Sequence, residues 1–280
     1  MARHAARLVN PFVQSLTRAA HPPASQSEET RIGFPRFFNI GGYWINAYKF
    51  FLIVGIYIGS LASAALGQSA GQSPLRVGLA AMGSALLGLV GARVYHLAVH
   101  ARYFFRRGAR HLLWDVRRGG WGVFGALITF VPASFAAASF VGQSPGVLWD
   151  FMSGGVLAGG FWIRLGCVLN GCCVGRETGA WWGVHLHDVR GTRKSRAPVQ
   201  YLEMLWWLLG GVAFLLVWPT PLPSGGYALA VLAWYGVGRF LLEPMREQID
   251  RVWGVAIDQL IAGLLAIACG SVLALRLWLR

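Results

Sequence analysis

Residues 43–66, YWINAYKFFLIVGIYIGSLASAAL, contain a single charged side chain, Lys49. A helix rises about 1.5 Å per residue, so crossing a hydrocarbon core takes about 20 predominantly apolar residues. From Trp44 to Leu66 this stretch meets that demand, and WGVAIDQLIAGLLAIACGSVLAL at 253–275 meets it as well. Between these two lie five further apolar runs, near 77–100, 121–142, 147–169, 200–218 and 226–243; the last run of the chain begins near 252. Hydrophobic residues make up 55% of the 280 positions and charged residues 13%. A soluble domain carries about 25% charged residues, so roughly half the usual charge is missing. Many of the 37 glycines fall inside the runs, as in GSALLGLVGA (83–92) and SGGVLAGG (153–160). Small residues of this kind let helix backbones approach closely in lipid. The expected architecture is an all-α membrane protein with about seven transmembrane helices and a short polar head loop. It divides into a basic N-terminal extension, 1–42, and a polytopic membrane domain, 43–280.

The extension carries Arg3, Arg7, Arg18, Arg31 and Arg36 but no continuous apolar core of the kind a signal peptide requires. Residues 5–20 read either as a short basic amphipathic helix on an anionic membrane surface or as a disordered tail. PPASQSEET (22–30) reads as linker. With seven spans, the tail and loops 101–120, 176–198 and 244–251 share one side of the membrane and hold eighteen of the 25 lysines and arginines. Arg76, Arg276 and Arg280 are on the other side. No soluble basic domain is available for nucleic acid, and anionic phospholipid headgroups are the natural partner for this charge. The positive-inside rule would place the basic side in the cytoplasm.

Charges inside spans cost roughly 2.5–3.5 kcal/mol on insertion scales and are functional candidates for that reason. Arg164, Cys167 and Asn170 recur at three-residue spacing at the end of the fourth span, on one helical face. Arg239, Glu243 and Arg246 form a second polar stripe at the end of the sixth. Arg239 and Glu243, at i and i+4, can pair. That pair reads either as a structural ion pair or as part of a lipid-phosphate site, since arginine binds phosphate bidentately. Arg93, His96 and His100 lead to the same side along the second span.

RLGCVLNGCCVGR (164–176) resembles the signature of the prolipoprotein diacylglyceryl transferase family, close to GRxGNFxNGExxGR. In order along the chain, GARVY (91–95) resembles GARxGY and DVRRGGWGVFGALI (115–128) resembles DGGxSFHGGLIG. RAPVQYLE (196–203) resembles RHPSQLYE, and WYGVGRFLLEPMRE (234–247) resembles YGxxRFxxEFFRxPD. The resemblance covers most of residues 43–270. It implies transfer of diacylglycerol from phosphatidylglycerol to the cysteine of a preprolipoprotein, in a bacterial plasma (inner) membrane. By the same resemblance, Arg164 and Arg239 clamp phosphate, Asn170 positions the headgroup and Glu243 holds Arg239. Tyr48, Arg93, Arg176, Gln200 and Arg246 are the implied substrate-binding residues. No cofactor is expected.

The departures bear on the chemistry. Phe124 stands where the motif has a histidine proposed as general base, and Ala126 replaces a neighbouring glycine. Cys167 and Cys172 replace the signature's first asparagine and its glutamate, and Lys49 replaces the glycine of a WYG element. His96 reads either as a substitute base or as an interfacial histidine, and His185 and His187 share that ambiguity. Cys167, Cys172, Cys173 and Cys269 read as packing, with no metal expected. Nine tryptophans, Trp44, Trp206, Trp207 and Trp218 among them, read as interfacial anchors. Two functions remain open: a transferase, with this or another acceptor, or a non-catalytic anionic-phospholipid-binding protein on the same scaffold. A transporter lacks its expected paired, interrupted helices. The family places the side carrying Arg164 outward, where exported preproteins arrive; the charge bias places it inward.

Overall fold

The computed structural model describes residues 37–40, 43–99, 101, 123–189, 191–247, 251–252 and 255–280. The basic extension before residue 37, the 5–20 segment and most of loop 101–120 lie outside the described residues. Seven α-helices are described: α1 (Ala47–Ser69), α2 (Pro74–Val99), α3 (Val123–Val141), α4 (Pro145–Asn170), α5 (Val199–Val217), α6 (Gly226–Leu242) and α7 (Ile257–Trp278). Each overlaps one of the seven apolar runs. Five of them, α1, α2, α4, α5 and α7, are long and apolar enough to cross a membrane, and Ile128–Val141 of α3 is a shorter apolar helix. Large apolar side chains such as Ile53, Leu61, Leu216 and Ile267 are exposed on the outside of the bundle. That distribution suits contact with lipid rather than water.

Packing follows the glycines. α1 has its most extensive contact with α4, and α2 with α3. Gly55 and Gly59 face Gly155 and Gly159 at i, i+4 on both helices. A Cβ on Gly55 would stand 2.7 Å from the carbonyl oxygen of Gly159, and one on Gly59 the same distance from that of Gly155. Backbones this close leave no room for any side chain, which is the small-residue mode of helix association in membranes. α6 packs chiefly on α7, and its contact with α5 is much smaller. At the end remote from the charged stripes, buried Asp150 of α4 accepts hydrogen bonds from the backbone N–H of Gly225 (2.8 Å) and Ala228 (3.0 Å). One helix thereby satisfies the orphan donors at the start of another.

The expected polar head contains short antiparallel hairpins. β1 (Phe37–Ile40) pairs with β2 (Tyr43–Asn46), which leads directly into α1. β3 (Val184–His187) pairs with β4 (Arg193–Arg196), between α4 and α5, with Val184 opposite Arg196. β5 (Arg251–Val252) and β6 (Val255–Ala256) precede α7. The β3–β4 hairpin is anchored by Arg196, whose side chain is only 1% exposed and pairs with Glu247 at 2.8 Å and Asp188 at 3.3 Å.

Candidate functional site

The charged stripes meet at one end of the bundle, on a carboxylate from α5. Glu203 lies one turn into α5, buried, and faces three guanidinium groups. Its Oε2 is 3.0 Å from Arg164 Nη1 of α4, and its Oε1 is 2.6 Å from Arg246 Nη2 and 3.7 Å from Arg239 Nη1. Arg239 also pairs with Glu243 Oε2 at 3.0 Å, the i, i+4 partner that the spacing allowed. Its third partner is Asp258 Oδ2 of α7 at 2.9 Å. The cluster is therefore three arginines and three carboxylates drawn from α4, α5, α6, α7 and the turn after α6. All but Asp258 are largely shielded from solvent; burying such a charge alone would be very costly, and mutual pairing is what permits it. A guanidinium has five N–H donors, so one carboxylate does not exhaust it.

Backbone hydrogen bonds hold the loops that carry these residues. The N–H of Arg176 donates to Met245 O (2.8 Å), that of Glu247 to Val174 O (3.2 Å) and that of Ala197 to Arg176 O (2.9 Å). The segments after α4, before α5 and after α6 thus form one unit, which fixes where Arg246 reaches Glu203. Burial is the largest single influence on Arg246 and disfavours its charge, but the charge and hydrogen bond of Glu203, together with Cys173, outweigh it and raise the guanidinium pKa above its ordinary value.

Beside the cluster is a narrow cleft lined by Arg164, Glu203, Arg239, Trp206, Trp234 and Tyr235 among others. It opens where α5 and α6 have little contact. Trp206 and Trp234 stack there with ring centroids 4.2 Å apart. Each indole N–H donates to the other residue's backbone carbonyl, at 3.0 and 3.1 Å. Trp206, expected as an interfacial anchor, takes part in this inter-helix contact. A charged end and an aromatic, apolar wall together form an amphipathic pocket.

Of the other residues singled out in the sequence, Asn170 closes α4 and its Oδ1 accepts a hydrogen bond of 2.7 Å from Asn46 Nδ2. Tyr48 lies in the first turn of α1, where its backbone abuts Gly166. Gln200 is buried, and its side-chain N–H groups donate to the carbonyls of Cys167 (3.1 Å) and Cys172. Its role here is to hold the turn that ends α4. Arg176 has an exposed side chain and joins the unit through its backbone. Arg93 and His96 are half-buried near the end of α2, which packs on α3 and α1. The ion pairs described around Glu203 do not draw on that helix. Phe124 lies in the first turn of α3, and its side chain lies outside what is described.

The structure also joins residues that spacing could not. The Sγ atoms of Cys167, Cys172 and Cys173 all lie within 4.8 Å of one another. Hydrogen bonds from the Cys167 and Cys172 thiols, with the charges of Arg164 and Arg246, hold the Cys173 thiol below its ordinary pKa. Glu203, within RAPVQYLE, is a member of the cluster that motif spacing does not single out. Its signal was present: one carboxylate in the apolar run VQYLEMLWWLL needs a buried cation as partner.

Fold and site together define a polytopic helical membrane protein with a paired-arginine site and an aromatic cleft at one end of its bundle. The model of the family described as prolipoprotein diacylglyceryl transferase matches residues 35–276, and the chain belongs to that family. It is 25% identical over 259 residues to a phosphatidylglycerol–prolipoprotein diacylglyceryl transferase of Corynebacterium diphtheriae, covering 85% of this chain and 91% of that one. A protein of the same description from Frankia alni is 26% identical over 243 residues, covering 85% of this chain and 64% of its own length. One from Tropheryma whipplei is 27% identical over 172 residues, with 58% and 63% covered.

Proposed function

We propose that this protein transfers a diacylglyceryl group from phosphatidylglycerol to the thiol of a preprolipoprotein cysteine. The observation that carries the reading is the convergence of Arg164, Arg239 and Arg246 on Glu203 beside a tryptophan-lined cleft. In the reaction the acceptor sulfur attacks the glyceryl carbon bonded to the phosphate oxygen. The C–S bond forms, the C–O bond breaks, and its electron pair leaves on glycerol phosphate. Negative charge grows on that leaving group, and fixed guanidinium groups in a site poor in water stabilise it. The aromatic wall offers an apolar surface to the acyl chains, and the carboxylates keep the arginines oriented between turnovers. Asn170, Tyr48 and Arg176 are proposed to contact the headgroup, with Gln200 acting through the turn it holds.

A second reading, binding of an anionic phospholipid without chemistry, is favoured by Phe124 standing where the motif has its histidine. Purified full-length protein in vesicles of labelled phosphatidylglycerol, given a lipobox peptide, separates the two. Thioether product that disappears in Arg164→Ala and Arg239→Ala, and persists in Cys269→Ala, supports the transferase. Headgroup-dependent binding with no product supports the second reading, and full activity in either arginine variant removes the phosphate clamp.

A further inference from the structure

The sequence assigns packing to its cysteines, but the turn that closes α4 gathers three of them into a constellation with ligand geometry. Helical spacing alone does not do this. Gly171 ends the helix in the left-handed conformation (φ 71°), and Cys173 repeats it (φ 59°). For a residue with a Cβ that conformation costs on the order of 1 kcal/mol or more and persists only where its surroundings impose it. Here the surroundings do so. A Cβ on Gly171 would stand 2.7 Å from the His187 carbonyl oxygen, so the turn is pressed against the β3–β4 hairpin. From the other side, Gln200 ties down the carbonyls of Cys167 and Cys172. The result is three free thiols, one buried, one half-buried and one exposed, with every Sγ within 4.8 Å of the other two.

We propose that Cys167, Cys172 and Cys173 form a three-thiolate centre for a thiophilic divalent cation of the zinc class, with its fourth position open to the acceptor thiol. Thiolates about 2.3 Å from a tetrahedral zinc ion lie about 3.8 Å from one another. The observed ceiling of 4.8 Å therefore needs a closing of at most about 1 Å, within reach of side-chain rotation. Three thiolates around a divalent ion leave one net negative charge, and Arg164 and Arg246 are the cations that act on Cys173. The Gln200 amide and the packed Gly171 are the outer supports that a metal centre needs to hold its ligands in place. An open face at Cys173 gives access to the fourth position, as in catalytic rather than structural zinc sites.

This inference rests on the transferase reading for its acceptor and answers a problem within it. Phe124 cannot accept a proton, yet the acceptor must attack as thiolate. A thiol that binds the centre loses its proton to solvent. Its sulfur then forms the C–S bond as the C–O bond to phosphate breaks, with no protein base required.

The test measures metal on the full-length protein first, without phospholipid. Protein purified in detergent is loaded with Zn²⁺ or Co²⁺, passed through a desalting column and assayed for bound metal and for the sulfur-to-cobalt charge-transfer band. We expect one equivalent per chain with a three-thiolate band, which becomes four-thiolate when a lipobox peptide is added. Cys172→Ser and Cys173→Ser should each weaken binding by more than the 10–100-fold typical of losing an outer-shell partner, while Cys269→Ser leaves it unchanged. Thermal unfolding of each variant identifies any that fail to fold, and cobalt spectra of the remaining one then decide. Bound metal below about a tenth of an equivalent, a disulfide among the three thiols, or metal retained in both serine variants overturns the proposal. A loaded centre with no thioether product leaves this proposal standing and removes the transferase reading. Product formed at full rate by chelator-stripped Cys172→Ser and Cys173→Ser protein does the reverse.

Discussion

Replacing Glu203 by Gln keeps the shape of the side chain and removes the one charge that three arginines share. In the native cluster Arg164, Arg239 and Arg246 are balanced by Glu203, Glu243 and Asp258. The substitution leaves a net positive charge among groups that are mostly shielded from solvent. Breaking a buried ion pair from one side costs about 3–5 kcal/mol, because the partner remains buried without compensation. The nearest contacts, 2.6 Å to Arg246 and 3.0 Å to Arg164, place this site in that range. At about 2–4 °C per kcal/mol for a chain of this order of size, the thermal midpoint should fall by about 6–20 °C. Intrinsic tryptophan fluorescence of purified protein in neutral detergent measures it, and Trp206 and Trp234 report from beside the site. Phosphatidylglycerol should restore part of the loss by supplying the missing negative charge, whereas phosphatidylcholine should not. A double-mutant cycle with Arg246→Gln should give a coupling above about 1 kcal/mol. A midpoint within about 1 °C of the native protein, or a coupling near zero, would refute the placement of Glu203 as the hub.

Gly155→Leu inserts a side chain where a Cβ already meets Ser63 and the Gly59 backbone, so α1 and α4 must separate. Folded yield in detergent should drop sharply, with a loss of at least about 1–3 kcal/mol, while Gly211→Leu, with open space around it, should behave as native. Because the Cys173 pKa is held below its ordinary value, its thiolate survives as pH falls below about 9. In chelator-treated protein, iodoacetamide should modify Cys173 faster than Cys269 at pH 7, with little rate gain up to pH 9. A Cys173 rate that climbs tenfold per pH unit over that range would contradict the depressed value. For orientation, single cysteines at positions 70 and 192 in a background lacking native cysteines are probed with an impermeant reagent on intact spheroplasts. The lipoprotein reading requires labelling at 192 and not at 70. The opposite pattern would agree with the charge bias of the loops and exclude an exported acceptor.

Much of the fold was legible because a bilayer imposes a one-dimensional requirement. Each crossing needs about 20 apolar residues in a row, so the seven described α-helices could be located from hydropathy, with ends shifted by only a few residues. The Arg239–Glu243 pair was legible for a similar reason, since i, i+4 neighbours share a helix face whatever surrounds them. The motifs reached the family by the order and spacing of residues along the chain alone.

Features that depend on neighbours along the chain were therefore readable in advance: the spans, the charged stripes at their ends, the small-residue faces and the family. Tertiary structure alone decided which helices those faces join and which residues meet. Glu203 collects arginines 39, 36 and 43 positions away, and no local periodicity encodes such a meeting. Nor does spacing reveal that Trp206 stacks on Trp234 across two helices. The three thiols converge because Gly171 and Cys173 adopt left-handed backbone conformations that Gln200 and the β3–β4 hairpin hold in place. Hydropathy is a property of each residue, whereas the pairing of a buried charge or thiol is set by whatever the packed bundle brings within about 3–5 Å of it.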